Sequence, residues 1–264
     1  MDDIDQAFPD LAATERDALR AALELAAIPH WCDAHILATL VDDQWAPSAE
    51  RWIRLAELPV IEPYPHAGAG AGKVTETTRL AIRKQLAEAE RARLTELSAR
   101  AARAFAGDLR PMGRIEWIYH LLVADPERGA TELENLGRSW ASVAHAAHFR
   151  ALSKALAELG TAGVLQGRAA VRAGLVVAEQ DDDADDMAEE LRQAARATGD
   201  DRLIGDACVL AGDTAQEHGD LTAAEQAFAE NLAISERLAE LDPDNATWQD
   251  DLEEARDRTD RFDG

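Results

Sequence analysis

LIGDACVLAGDTAQEHGDLTAAEQAFAENLAISERLAELDP, residues 203–243, is the stretch from which the rest of the chain is read. Leu203, Ile204, Ala207, Leu210, Ala211 and Ala215 recur every three or four residues and so form one stripe along a helix. Gly219-Asp220 breaks that helix. Leu221, Ala224, Phe228, Leu232, Leu238 and Leu241 form a second stripe, closed by Pro243. Gly212 and Ala224 are small enough for the two backbones to approach, and Phe228 fills the groove between them. One helical hairpin cannot bury two stripes by itself, so neighbours of the same kind are expected.

These residues resemble a tetratricopeptide repeat (TPR), with Gly212, Gly219, Ala224, Phe228 and Pro243 in the roles that the family gives to its small, turn, aromatic and closing residues. The second helix runs about two turns longer than is usual there, and Asn231 replaces a small apolar residue. DNATWQDDLEEARDRTDRF, from Asp244, reads as a half-repeat capping the stack, with Trp248 in the family's aromatic position. The resemblance implies a binding face on the inner helix, carried by Ala207, Leu210, Thr214 and Glu217, that grips an extended or helical segment of a protein partner.

Moving outward, alanine, leucine, arginine and glutamate dominate, and aromatics are only 5% of the chain, which favours helix over strand. The 264 residues are enough for two domains. Cys32 and Cys208 stand alone, outside any metal or redox spacing, and no secretion signal is visible, so a reducing cytoplasm is the expected location. No apolar run approaches the roughly 20 residues that cross a bilayer. From Glu179 onward there are 27 acidic and 7 basic residues, a net of −20 within the chain's −24. That charge repels nucleic acid and anionic membrane, and it either solubilises this half or attracts a basic surface.

Toward the N-terminus, Thr14-Glu15 starts a helix carrying Leu19, Ala22, Leu23 and Ala26. A second helix follows from about Ala34 to Val41 with Ile36, Leu37 and Leu40. Pro47-Ser48 caps a third, with Trp52, Ile53 and Leu55 facing inward. VIEPY and VTETT are strand candidates separated by the glycine-rich HAGAGAGK. Three helices and a hairpin in this order resemble the winged-helix domain that follows the nucleotide-binding module of STAND-class signal-transduction ATPases, the group that includes NB-ARC and NACHT proteins. The likeness spans about residues 10–107 and implies a winged helix leading into TPR-like repeats, with a nucleotide-binding module supplied by another chain. That family's Met-His-Asp motif, which contacts bound ADP, falls here on Val74, Thr75 and Glu76, so the imidazole is missing.

The expected organisation is therefore an acidic leader (1–13), a winged-helix-like domain (14–86), a linker helix (87–110), degenerate helical hairpins (111–200) and the repeat with its capping helix (201–264). Within 111–200, IEWIYHLLVADP, ELENLGRSWASVAHAAHFRALSKALAEL, VLQGRAAVRAGLVVAEQ and MAEELRQAARA each show helical spacing. The fold class is mainly α: a winged helix with a small β-hairpin, then an α-solenoid.

Motifs that could carry chemistry were weighed against structural roles. Ala67–Lys73 imitates a phosphate-binding loop, but Ala67 replaces the first glycine and Val74 the magnesium-binding Ser or Thr. His30, Cys32 and His35 are the one compact group of soft ligands and lack a second pair for zinc. His145 with His148, and Glu116 with His120, each lie one turn apart on a helix. The run Asp181–Asp186 lacks the glycine and terminal glutamate of a calcium loop. No catalytic residue, metal or cofactor is assigned, and the chain is read as a non-enzymatic protein-binding module. The alternative is a winged-helix transcription regulator with a TPR sensor, although Arg51 and Arg54 are balanced by Glu50 and Glu57 and only Lys73 sits at the wing tip.

Overall fold

A computed structural model describes residues 4, 7, 8, 10–41, 48–140, 145–180 and 185–261. Pro47 of the Pro47-Ser48 cap, part of the leader and residues 181–184 of the acidic run lie outside the described residues. The described chain is mainly helical, with thirteen helices and one small two-stranded sheet. It divides into two compact units, Met1–Gly129 and Ala130–Gly264.

In the first unit, α1 (Ala13–Ala26) buries Leu19, Ala22, Leu23 and Ala26, the stripe marked by their spacing. Asp33 starts α2 (Ala34–Leu40), its carboxylate accepting from the His35 and Ile36 amides at 2.8 Å, and Ile36, Leu37 and Leu40 are buried. In α3 (Ser48–Leu55), Trp52 and Leu55 are buried, but Ile53 is 61% exposed. Ile53 follows Trp52 directly, about 100° further round the helix, and so cannot share its inward face.

β1 (Ile61–Pro63) pairs antiparallel with β2 (Gly72–Val74), matching Ile61 with Val74 and Glu62 with Lys73. The second strand therefore ends on the first residue of the VTETT segment. Thr75 is instead the N-terminal boundary of α4 (Glu76–Ala89), a position that favours threonine as much as a strand does. Glu90, at φ −137° and ψ 47°, leaves the helical region and separates α4 from α5 (Arg91–Phe105). The linker helix expected over 87–110 is thus interrupted. α5 packs on α2 and on α6 (Pro111–Ala124), burying Leu94, Leu97, Ala101 and Phe105 in the first unit's core.

α7 (Pro126–Trp140) crosses from the first unit into the second. The second unit continues with α8 (Ala146–Thr161), α9 (Gly167–Ala178), α10 (Asp185–Thr198), α11 (Asp201–Glu217), α12 (Leu221–Leu241) and α13 (Ala246–Asp260). From α8 onward each helix packs on the next, and α9 also touches α11. Val171, Leu175, Ala195, Leu203 and Ala207 form a core shared by α9, α10 and α11.

Asn and Asp caps start the last three helices. Asp200 accepts from the Arg202 and Leu203 amides at 3.1 and 3.2 Å, Asp220 from Ala223 at 3.0 Å, and Asn245 from Trp248 at 3.3 Å. Between α11 and α12, Gly219 takes φ +76°, which lets the chain reverse without the steric cost that a Cβ would carry there.

Candidate functional site

In the second unit, a concave surface runs along α7, α9, α11 and α13, with further lining from α8 and α12. One cavity, of about 390 Å³, is walled by Arg172, Val176 and Glu179 on one side and Asp251, Glu254 and Arg258 on the other. Its floor includes Gly205, Val209, Leu210 and Ile234. A second cavity, of about 590 Å³, adds Leu133, Glu134, Arg138 and Trp140. The two share Arg172, Val176, Glu179, Arg202, Asp206 and Asp251, so they are adjoining lengths of one groove. The lining positions on α11 are Arg202, Gly205, Asp206, Val209, Leu210 and Asp213, one face at helical spacing.

Polar pairing holds this surface in place. Glu134 receives Arg138 and Arg172, each at 3.6 Å, and Arg202 at 2.9 Å. Arg172 also pairs with Asp206, and Arg202 reaches Asp251 at 4.0 Å. Asp200, the α11 cap, accepts from Arg168 of α9 at 2.6 Å, locking one helix to the other. Asn231 of α12 donates to the Gly205 carbonyl at 3.2 Å, satisfying a buried amide on the groove floor. Six carboxylates, Glu134, Glu179, Asp206, Asp213, Asp251 and Glu254, face four arginines, Arg138, Arg172, Arg202 and Arg258. Protein crowding pushes the carboxyls of Glu179, Asp213 and Asp251 above their ordinary range, and neighbouring acids add to it: Asp206 for Glu179 and Asp251, and Glu217 for Asp213.

No protein-family model, curated protein or solved structure matches this chain.

Of the residues expected on the binding face, only Leu210 lines the groove. Ala207 is fully buried in the core and has no surface to offer a partner, which corrects its assignment. Thr214 is half-buried and Glu217 exposed, and neither belongs to the groove. The expected set followed the apolar stripe, whereas the groove lies beside it on Arg202, Asp206, Val209 and Asp213. Of the expected packing residues, Gly212 and Phe228 meet. Gly212 and Ala224 are buried, and a Cβ on Gly212 would run into the Phe228 ring. Gly219 forms the turn, while Pro243 is exposed in the link between α12 and α13.

A second polar cluster lies in the core of the first unit. Glu116 of α6 is fully buried, with His30 Nδ1 at 2.8 Å, the His30 backbone N–H donating at 3.2 Å, and His120 Nε2 at 3.5 Å. Burial alone would raise the Glu116 carboxyl, but His30 and then His120 more than offset it and hold the group well below the usual carboxylate range. Arg83 of α4 donates to the Ile28 carbonyl at 2.7 Å and stacks its guanidinium over Tyr119 at 4.7 Å. His30, Glu116, Tyr119, His120 and Arg83 thus tie three segments together around one buried carboxylate, and the ring nitrogens of His120 are buried without a hydrogen-bond partner.

Burial drives His120 down to about 4, with Glu116 pulling the other way. An unfolded histidine titrates near 6.5, so the stabilising contribution of neutral His120 is complete above that pH and is lost as pH falls from about 6.5 to about 4. Over that window it amounts to about 3 kcal/mol. His120→Gln is expected to take up one proton fewer on unfolding, read from the slope of stability against pH. An unchanged slope would remove His120 from the account.

The remaining motifs resolve into structural roles. Gly68, Ala71 and Gly72 donate their amides to the carbonyls of Pro65, Gly68 and Cys32, so these N–H groups are spent within the fold. Lys73 pairs with Glu62 across the hairpin at 2.9 Å, and Trp52 Nε1 donates to the Gly70 carbonyl at 2.8 Å. His30, Cys32 and His35 do not converge: His30 turns to Glu116, Cys32 is buried beside Gly72, and His35 is exposed on α2. His145 and His148 pack on Trp140, with ring centroids 5.9 and 5.8 Å from the indole. Burial raises the Cys32 thiol well above its ordinary value, and burial followed by Glu230 pushes Cys208 to about 12, so neither supplies a thiolate near neutral pH.

Proposed function

We propose that this chain is a non-enzymatic interaction protein whose second unit holds a segment of a protein partner in the groove along α7, α9, α11 and α13. The observation that carries this reading is that the groove's charged positions fall on every second helix, on α7, α11 and α13 and along or at the end of α9, while α8 and α12 contribute uncharged lining such as Phe149 and Ile234. That placement supports a TPR-like α-solenoid, in which alternate helices line one concave surface. The Gly212, Ala224 and Phe228 packing and the Gly219 turn support it as well.

In the first unit, three helices followed by an antiparallel hairpin support the winged-helix reading and its likeness to STAND-class ATPases. On that reading the first unit docks against a nucleotide-binding module. The partner contact itself falls to the groove.

Site-specific photocrosslinking tests the assignment. A photoreactive residue at Val209, on the groove floor, is expected to trap a discrete protein in the cells of origin, whereas one at Leu241, exposed on α12, is not. Equal trapping from both positions, or none from Val209, would overturn it.

A further inference from the structure

The charge arrangement in the groove goes further than the partner-binding reading, on which this inference rests. Its arginines are already engaged: Arg172 by Asp206 and Glu134, Arg202 by Glu134 at 2.9 Å, and Arg258 by Glu254 at 3.4 Å. Three carboxylates are not matched in the same way. Among the described residues Glu179 and Asp213 have no cation within ion-pair distance, Arg172 and Arg258 attracting them only from further off, and Asp251 has only the distant Arg202 at 4.0 Å. All three are open to water yet sit in a concave wall of protein atoms. Such a position strengthens attraction to an incoming cation relative to a flat surface. Beside them lie apolar patches, Val176, Val209, Leu210 and Ile234, which suit the methylene stem of a long basic side chain.

We infer that the groove receives a lysine- or arginine-bearing extended peptide segment, its cationic heads meeting the carboxylates Glu179, Asp213 and Asp251 spread along the groove and their stems lying on Val209 and Leu210. Two adjoining cavities of about 390 and 590 Å³ exceed what one side chain fills, which favours a segment of several residues over a lone small cation. An acidic or phosphorylated segment meets the opposite situation, because the groove's arginines are bound internally and its surplus charge is negative.

Fluorescence anisotropy with a labelled alternating Lys-Ala peptide, against a Glu-Ala peptide of equal length, tests this at about 0.1 M salt, where distant surface charge is screened beyond roughly 10 Å. The Lys-Ala peptide is expected to bind. The Glu179→Gln/Asp213→Asn/Asp251→Asn variant should weaken it by roughly tenfold or more, since charge-assisted hydrogen bonds are lost. A control removing equal charge from exposed positions outside the groove, Glu240→Gln/Glu253→Gln/Asp257→Asn, should weaken it by less than about twofold.

Equal loss in both variants would mean attraction to the general acidity of this half and would overturn the inference, as would equal affinity for the two peptides. Nuclear magnetic resonance on the unmodified protein gives a second readout that no folding defect can disturb. The Gly205 amide and the Asn231 side-chain amide are expected to shift on addition of the Lys-Ala peptide, and their silence would overturn the assignment. Trapping of a partner at Val209 with no preference for the cationic peptide would leave the partner-binding reading intact and remove only this one. A cationic preference without any trapped partner would do the reverse.

Discussion

Glu116→Ala is expected to destabilise the first unit by about 3–5 kcal/mol, the loss typical when one member of a buried ionic cluster is removed. The cost comes from what stays behind. His30 loses both the carboxylate at 2.8 Å and the acceptor of its backbone N–H, while His120 loses its nearest acceptor in a fully buried setting. Glu116→Gln keeps the volume and an acceptor oxygen, so it should recover part of the loss. Thermal unfolding is the measurement, and a fall in Tm of roughly 10 °C is expected for the alanine variant. A shift of a degree or two would show the cluster to be replaceable at little cost. Because the depressed Glu116 carboxyl contributes stability above the unfolded carboxyl range and loses it as pH falls, the gap between wild type and Glu116→Ala should narrow in acid.

Phe228→Ala should cost the second unit about 3–5 kcal/mol. Phe228 is almost fully buried and its ring lies on Gly212, where no side chain intervenes. Gly212→Ala brings two opposed effects: a gain of up to about 1 kcal/mol from helix propensity and an overpacking cost of about 1–3 kcal/mol because the new methyl meets the ring. The net change is expected to be destabilising. Pairing it with Phe228→Leu relieves the clash, so the double variant should lose less than the two single variants together, by an amount on the order of 1 kcal/mol. Chemical denaturation midpoints provide the test. Additive losses would show that the glycine is not there to accommodate the ring.

Local periodicity made the helices readable wherever burial followed one stripe. Leu19, Ala22, Leu23 and Ala26 on α1 and Ile36, Leu37 and Leu40 on α2 are buried as their spacing implies. The reading failed where one residue type serves two structures. The threonines after Val74 suit a strand and also a helix start, and the start won.

The groove was harder to see, because its position depends on which faces neighbouring helices leave uncovered. On α11 that face lies one residue away from the apolar stripe, enough to exchange Ala207 for Asp206. The spacing of Glu116 and His120 was visible as one helical turn, but their partner His30 lies 86 residues from Glu116 and is joined to it only by the fold. Arginines in otherwise apolar helices, Arg172 within VLQGRAAVRAGLVV above all, were the available signal for the groove, since a buried guanidinium requires a carboxylate from elsewhere.

Glu134 gives the second unit a property that neighbour-to-neighbour packing alone would not. A linear array in which each hairpin touches only the next can fray from either end, one hairpin at a time. Glu134 on α7 is bound at once by Arg172 on α9 and Arg202 on α11, so it spans helices that are not adjacent in sequence. Withdrawing α11 strips a charge from α7, and releasing α7 strips one from both others. Opening any one of the three helices therefore breaks an ion pair held by another, which couples their opening.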